Sequence, residues 1–142
     1  MPSAQENATR CHCGAVTLQF AVAPRTPINC HCGLCRSLSG SAFTTWVTMK
    51  IGEVCVVGEG DMTLYQPTGN LERLFCKHCG THILTKDKRH PGILGIPAGI
   101  LENVEVPPPK GEYFVGHKAR WFKLTSGLPC FGGESGFDAV DA

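Results

Sequence analysis

The clustering of cysteines constrains this chain more than any other feature of its sequence. Nine cysteines occur in 142 residues, and seven of them fall in three tight groups, at 11–13, 30–35 and 76–79. Their odd number argues against a framework of disulfides, and residues 1–10 lack the apolar core that a secretion signal would have. Because thiols so close together in a reducing compartment usually bind metal, we expect metal sites rather than disulfides or simply buried thiols.

The middle group, Cys30-His31-Cys32-Gly33-Leu34-Cys35, carries three thiols within six residues. A tight turn at the glycine would bring the three sulfurs around one point, and Zn²⁺ is the common ion that prefers such a set. A structural zinc site has four protein ligands, whereas a catalytic site keeps one position for water or substrate. Our hypothesis is a reactive zinc centre with three thiolates. The alternative is a closed site completed by Cys55, Cys130 or a histidine.

The outer two groups supply two sulfurs each. Cys11 and Cys13 form a C-x-C pair, and Cys76 and Cys79 form a C-x-x-C-G knuckle of the kind found in zinc ribbons. Together they would make a closed site with four thiolates. The pairs are 63 residues apart, counted from Cys13 to Cys76. A zinc ion bound there would therefore join the N-terminal strand to a later hairpin and stabilise the fold.

Apolar residues alternate with polar ones over short stretches, which is the period of half-buried strands. The clearest case is 15–22, where every second residue is a large apolar one. Further strands are predicted at 42–49, 53–57, 62–66, 72–75, 81–85 and 92–96, with 101–106 ambiguous and short apolar pieces at 113–115 and 121–124. Seventeen glycines, ten prolines and the lack of a sustained helical period predict a mainly β chain. We expect a single domain of 1–142 with loose tails at 1–9 and 132–142.

The charge balance limits the partners that the chain can have. Thirteen basic and twelve acidic residues give a formal charge of +1, which offers no electrostatic attraction to nucleic acid or to an anionic membrane. The most apolar run, residues 92–101, is too short to span a bilayer and contains Pro97. We therefore expect a cytoplasmic protein that acts on small molecules. A homodimer is compatible with the sequence.

Three ordered motifs identify a more specific relationship. They are Cys11-His12-Cys13-Gly14-Ala15-Val16, Cys30-His31-Cys32-Gly33-Leu34-Cys35-Arg36 with Ser39-Gly40 after it, and Phe75-Cys76-Lys77-His78-Cys79-Gly80-Thr81. Weaker matches lie at 118–122 and 127–131. In this pattern the chain resembles the glutathione-dependent formaldehyde-activating enzyme family, which also includes centromere protein V. The resemblance runs from about Cys11 to Phe131, nearly the whole chain.

The resemblance implies a small β-tent fold of short antiparallel strands held together by two zinc ions. The structural zinc would be bound by Cys11, Cys13, Cys76 and Cys79, and the catalytic zinc by Cys30, Cys32 and Cys35. The implied activity is of the carbon–sulfur lyase type, and its named direction joins formaldehyde to glutathione as S-hydroxymethylglutathione. The partners would then be a small thiol such as glutathione and a small carbonyl compound.

Two segments depart from the family pattern. A Gly-x-Leu-Asp segment that many members carry reads Gly99-Ile100-Leu101-Glu102 here, and a His-Ile-aromatic-Val segment reads Glu112-Tyr113-Phe114-Val115. If the usual histidine contributes to substrate binding, its replacement by Glu112 weakens the case for formaldehyde as the substrate.

The reaction needs a group that moves a proton to or from the hydroxymethyl oxygen. His31 and Glu102 are the candidates, although a histidine between two ligands also orients its loop by hydrogen bonding. Trp121 and Cys55 lie in apolar stretches, and we expect both to be buried. Two alternatives stay open: a non-catalytic zinc module that binds a protein partner, and the same zinc chemistry on another small carbonyl compound or thioether.

Overall fold

The computed structural model describes residues 7–141 and divides into two compact units. The first unit comprises residues 7–25 and 47–106, and the second comprises residues 26–46 and 107–141. In chain order the elements are β1 (Ala8–Arg10), β2 (Thr17–Phe20), β3 (Ile28–Cys30), α1 (Gly33–Ser39), β4 (Thr44–Lys50), β5 (Val54–Val57), β6 (Met62–Tyr65), β7 (Leu71–Cys76), β8 (His82–Asp87), β9 (Ile93–Pro97), β10 (Glu112–Tyr113), β11 (Cys130–Gly132) and β12 (Asp138–Val140). Short 3₁₀ turns lie at Ile51–Glu53, Glu59–Asp61, Ala98–Ile100 and Val115–His117.

In the first unit, β1, β2 and β5 form an antiparallel sheet with β2 in the middle. The alternation read from the sequence is present in β2, where Leu18 and Phe20 are buried and Gln19 between them is exposed. Cys55 on the edge strand β5 stands opposite Gln19 and is exposed as well. The expectation of a buried Cys55 was wrong, because an apolar strand composition does not say which of its two faces meets the core.

The strands β6, β7, β8 and β9 form an antiparallel run in that order, also in the first unit. A β-bulge shifts the register of β7 against β8 between Leu74 and Phe75, just before the strand reaches Cys76. The hydrophobic core of this unit is made of tightly packed aliphatic side chains. Its most deeply buried members include Val16, Leu18, Val47, Met49, Ile83, Leu84 and Ile96.

The second unit is organised around β10, a two-residue strand that lies between β3 and β11. Both of its pairings are parallel, with Glu112 opposite Asn29 on β3 and opposite Cys130 on β11. The first half of β4 pairs with β3, and β12 pairs with β11, in both cases antiparallel. The parallel pairings add to the antiparallel arrangement that the sequence predicted, and they place Glu112 on a central strand.

The mainly β fold class is confirmed, and the differences from the sequence prediction are local. Residues 101–106 and 121–124 form no strand, and Trp121 is 73% exposed, so the expectation of a buried Trp121 was wrong. Large apolar residues are also common at protein surfaces, so residue type alone does not predict burial. Two predicted loose tails contain strands, β1 at the beginning and β12 at the end, while residues 1–6 and 142 lie outside the described residues. Over residues 7–141, no helix has the length and apolar character required to cross a membrane.

Candidate metal centres

The first pair of cysteines lies in the tight turn between β1 and β2. The N–H of Gly14 donates to the carbonyl of Cys11 at 3.0 Å, and the N–H of Cys11 donates to the carbonyl of Val16 at 2.9 Å. Gly14 has a φ of +83°, a conformation that favours glycine. The N–H of Val16 also donates to the sulfur of Cys11 at 3.4 Å. The turn therefore points the sulfur of Cys11 into the interior and supplies a donor that stabilises it as a thiolate.

The second pair lies in the turn between β7 and β8. The N–H of Gly80 donates to the carbonyl of Cys76 at 2.8 Å, and the N–H of Cys76 donates to the carbonyl of Thr81 at 2.9 Å. The two turns are also joined directly, because the N–H of His12 donates to the hydroxyl of Thr81 at 3.1 Å. This is the knuckle that the C-x-x-C-G pattern predicts, with Gly80 at a φ of +79°.

The four sulfurs of these pairs lie within 4.8 Å of one another. The sulfur of Cys13 is 3.6 Å from that of Cys11 and 3.6 Å from that of Cys76. Four thiolates at about 2.3 Å from a tetrahedral zinc ion would be about 3.8 Å apart, whereas a disulfide needs about 2.05 Å. The hydroxyl of Thr81, 3.2 Å from Cys79, and then the main-chain hydrogen bonds of Thr81 and Cys13 lower the pKa of that thiol to about 5. The arrangement fits a cation with four soft ligands.

The third cluster lies where β3 passes into α1. Cys30 ends the strand, and Cys32 is the N-cap of the helix, with its sulfur accepting from the N–H of Cys35 at 3.3 Å. The helix ends at Gly40, which has a φ of +68° and donates its N–H to the carbonyl of Arg36 at 2.9 Å. The sequence predicted a tight turn at Gly33, and the structure has a helix of seven residues that begins there. The helix turns Cys35 back towards Cys30.

The sulfurs of Cys30, Cys32 and Cys35 also lie within 4.8 Å of one another, with 3.5 Å between those of Cys30 and Cys35. Cys30 and Cys35 are buried and Cys32 is half-buried. The sulfurs of Cys32 and Cys35, together with burial, raise the pKa of Cys30 above its ordinary value, since three thiolates repel one another without a cation. The spacing and the donor set therefore fit a metal ion held by three thiolates.

Between residues 7 and 141, a fourth histidine, cysteine or carboxylate does not join this cluster within 4.8 Å. Cys130 was one proposed fourth ligand, and its thiol instead donates to the carbonyl of Leu128 at 3.5 Å. Loss of hydration, and then the nearby carboxylate of Glu112, raise the pKa of Cys130, which favours the neutral thiol. Cys55 was another proposed fourth ligand, and it is exposed on β5 in the first unit.

His31, between two of the clustered cysteines, is completely buried. Its Nε2 lies 2.7 Å from Oε1 of Glu112, and its ring packs against Phe43 and Phe122 at centroid distances of 5.0 and 5.9 Å. The sequence flagged Glu112 as a departure from the family pattern and gave it no role. Only the parallel pairing of β10 with β3 brings these two residues together across 81 positions.

Glu102, the other proposed proton-transfer group, is exposed and lies in the first unit. It lines a surface pocket of about 380 Å³ together with Arg10, Cys11, His12 and Thr81. This pocket is beside the four-cysteine cluster of the same unit. The role of Glu102 as a proton-transfer group stays a prediction.

The model of a family described as glutathione-dependent formaldehyde-activating enzyme matches residues 6–117, which include all seven clustered cysteines. The chain belongs to the glutathione-dependent formaldehyde-activating enzyme family. The predicted resemblance is confirmed.

Two known proteins are similar to this member of the formaldehyde-activating family. A Halomonas elongata protein, named as a candidate glutathione-dependent formaldehyde-activating enzyme, is 26% identical over 124 residues, or 82% of this chain and 79% of that protein. A crystal structure of a Rhodobacter sphaeroides protein has a TM-score of 0.57 and 27% identity, and the match covers 69% of this chain and 90% of that chain. This chain has two cysteine clusters that could bind metal ions, and both lie within the matched range.

Proposed function

We propose that the chain is a zinc-dependent enzyme of the carbon–sulfur lyase type, which joins formaldehyde to glutathione and cleaves the product in reverse. The observation that supports this proposal is the cluster of Cys30, Cys32 and Cys35, which has three soft ligands and no fourth ligand group within 4.8 Å among residues 7–141. A site with three protein ligands leaves one position for a substrate sulfur. Cys32 is half-buried rather than fully buried, which is consistent with access from solvent.

The reaction balances without an added oxidant or reductant. A bond forms between the thiol sulfur and the carbonyl carbon, and the proton that leaves the sulfur ends on the carbonyl oxygen. Zinc bound to the three cysteines would supply one thing, a lowered pKa for the substrate thiol, so that the thiolate is available at neutral pH. The chain has to place the three ligands and to provide a path for one proton.

The two proton-transfer candidates differ in their access to solvent. His31 is completely buried and its Nε2 is engaged by Glu112, which favours a positioning role over proton transfer. Glu102 is exposed and lines a pocket. The proposal that Glu102 transfers the proton rests on the sequence alone, because its pocket lies beside the four-cysteine cluster of the first unit and the three-sulfur cluster belongs to the second. Its test is Glu102→Gln, and an unchanged kcat would exclude Glu102 as the proton-transfer group.

We propose that a second zinc ion is bound by Cys11, Cys13, Cys76 and Cys79 and is structural. Four thiolates fill a tetrahedral coordination sphere and leave no position for substrate. Seven thiols so close to one another would be oxidised in a disulfide-forming compartment, so we place the enzyme in the reducing cytoplasm.

The function is tested with purified protein, ¹³C-formaldehyde and glutathione, by following the hydroxymethyl carbon of the adduct by NMR exchange spectroscopy. The wild-type protein should accelerate adduct formation and cleavage equally, while Cys32→Ser should not. Cys55→Ser is the matched control, because Cys55 is exposed and belongs to neither cluster. Equal rates with and without the wild-type protein would refute this activity. A parallel screen of other thiols and carbonyl compounds would then look for a different substrate.

A non-catalytic zinc module that binds a protein partner is the second candidate. The exposed indole of Trp121 favours it, since large exposed aromatic side chains are frequent anchors at protein interfaces. X-ray absorption at the zinc edge separates the two candidates. An average of three and a half sulfurs per zinc corresponds to one site with four sulfurs and one with three, and it favours the enzyme. Four sulfurs per zinc at both sites favour the module.

A further inference from the structure

Glu112 is a buried carboxylate whose two oxygens are both occupied. It is 2% exposed and lies on the central strand of its unit. Oε1 is 2.7 Å from Nε2 of His31, while Oε2 accepts from Nδ2 of Asn29 at 2.8 Å and from the hydroxyl of Ser126 at 3.3 Å. Burying a carboxylate is costly unless such donors surround it. Burial of Glu112 is therefore costly, and three hydrogen-bond donors compensate for its lost hydration.

Two of the three donors flank Cys30, the first cysteine of the three-sulfur cluster. Side chains alternate in direction along a strand, so Asn29 and His31 face Glu112 while Cys30 faces the opposite way. The main chain is held at the same two residues, because the N–H of Asn29 donates to the carbonyl of Gly111 at 3.0 Å and that of His31 donates to the carbonyl of Tyr113 at 2.9 Å. The segment that carries Cys30 is thus attached to β10 through both its backbone and its side chains.

The hydrogen bond to Glu112 also fixes the orientation of the imidazole ring, because a carboxylate oxygen accepts and Nε2 is then the donor. Within the described part of the chain, Nδ1 of His31 has no hydrogen-bond partner. A ring with the opposite tautomer would bury an unpaired N–H and would lose the bond to Glu112, which costs more. Glu112 therefore holds the ring that separates Cys30 from Cys32 in one orientation.

From these contacts we infer that Glu112 is a positioning residue for the three-sulfur centre, acting through His31 to set the direction of the sulfurs of Cys30 and Cys32. The inference rests on the proposed function only in requiring a metal at this cluster. It concerns a position where this chain departs from the family pattern. Groups that do not bind the metal but orient its ligands typically change metal affinity or activity by about 10–100-fold when they are removed.

The test measures metal binding rather than turnover. The wild-type protein should hold two equivalents of Co²⁺, used as a spectroscopic substitute for zinc, and Glu112→Ala should retain the four-cysteine equivalent while binding the second about 10–100-fold more weakly. The d–d bands of that second equivalent should also shift, because the sulfurs no longer keep one geometry. Glu134→Ala, at an exposed position of the same unit, is the matched control and should behave as wild type. A second equivalent with wild-type affinity and bands in Glu112→Ala would overturn the inference.

A double-mutant cycle shows whether Glu112 acts through His31. In a His31→Ala background, adding Glu112→Ala should change the affinity for the second Co²⁺ by less than about threefold, because the route is already broken. Full additivity of the two substitutions would overturn the assignment. Should Glu112→Ala not fold, Glu112→Gln takes its place. Its amide keeps one acceptor oxygen of two, so it should bind the second Co²⁺ with intermediate affinity, and wild-type affinity would count against the inference.

The outcomes keep the two proposals apart. If the wild-type protein binds two Co²⁺ ions and Glu112→Ala weakens one of them, the inference holds even when no adduct of glutathione and formaldehyde is formed. If the wild-type protein accelerates adduct formation and Glu112→Ala binds both Co²⁺ ions with wild-type affinity and spectra, the proposed function stands and the inference fails. A wild-type protein that binds a single Co²⁺ would refute both.

Discussion

The sulfur of Cys13 lies 3.6 Å from the sulfur of Cys76, although 63 residues separate them along the chain. A metal ion shared by these sulfurs would close a long loop in the first unit. In zinc-dependent folds the free energy of metal binding is about 10–16 kcal/mol at neutral pH, and much of it is coupled to folding. Loss of one of these sulfurs should therefore lower the free energy of unfolding.

Cys76→Ser should leave the protein unfolded or aggregated, because Cys76 is fully buried and its loss opens the four-sulfur set. Circular dichroism and size-exclusion chromatography are the measurements. Cys55→Ser, the same substitution at an exposed position, should fold normally. A folded Cys76→Ser protein that retained all of its zinc would show that Cys76 is not a ligand.

Cys32→Ser should remove one metal equivalent and leave the fold intact. Cys32 is half-buried and lies at the N-cap of a short helix, where serine also caps well, so the local structure should survive. Elemental analysis by mass spectrometry should give about one zinc per chain, against two for the wild type and for Cys55→Ser. Two equivalents in Cys32→Ser would mean that the second metal is bound elsewhere.

The ion pair of Arg25 with Glu53 predicts a pH dependence of stability in the first unit. The guanidinium donates to both carboxylate oxygens, at 2.8 and 3.0 Å, and together with the N–H of Lys50 it lowers the pKa of Glu53 from 4.5 to about 2. Because the folded pKa is below the unfolded one, this contribution is complete above pH 4.5 and is lost as the pH falls through about 2.

Arg25→Gln should therefore lower the urea midpoint at pH 7, and the difference from wild type should shrink as the pH falls below 4.5. The effect should be small, since the side chain of Arg25 is 46% exposed and solvent screens the pair. Lys88→Gln, which removes a positive charge at another exposed position of the unit, controls for the change in net charge. Zinc content is measured at each pH, because acid protonates the cysteine thiolates and releases the metal, and only samples that retain their zinc are compared. A loss at pH 7 no larger than that of Lys88→Gln would exclude the ion pair as its source.

Trp121→Ala should change the free energy of unfolding by less than about 0.5 kcal/mol, because the side chain is 73% exposed. Phe20→Ala is the aromatic comparison. Phe20 is 5% exposed, and its truncation in the core should cost about 3–5 kcal/mol. Urea denaturation of the three proteins measures both values. A large loss in Trp121→Ala would show that the indole is covered in solution, for example by a second copy of the chain.

The sequence predicted the cysteine clusters because residues that could share a metal ion recur at short spacings. Cys30, Cys32 and Cys35 are so close in sequence that the end of β3 and the first turn of α1 bring their sulfurs together. The alternation along β2 was equally local, since the period of a strand can be read from four residues. The pairing of Cys11 and Cys13 with Cys76 and Cys79 was a hypothesis across many residues, and the structure brings these four sulfurs together.

Other features could not be read from local patterns. Cys55 and Trp121 were expected to be buried on composition alone, but burial depends on which face of a strand or loop meets the core. Residues 138–140 gave no strand signal, because a short edge strand of mixed composition is formed by its partner β11 rather than by its own preference.

By itself, the sequence determined the family, the mainly β fold class and the residues that could hold two metal ions, because each of these depends on residue types at short, fixed spacings. Tertiary structure alone decided that Glu112 hydrogen-bonds to His31, because the two residues are 81 positions apart and meet only through the parallel pairing of β10 with β3. The order of strands in a sheet is set by the packing of the whole unit, and no local period in the chain encodes it.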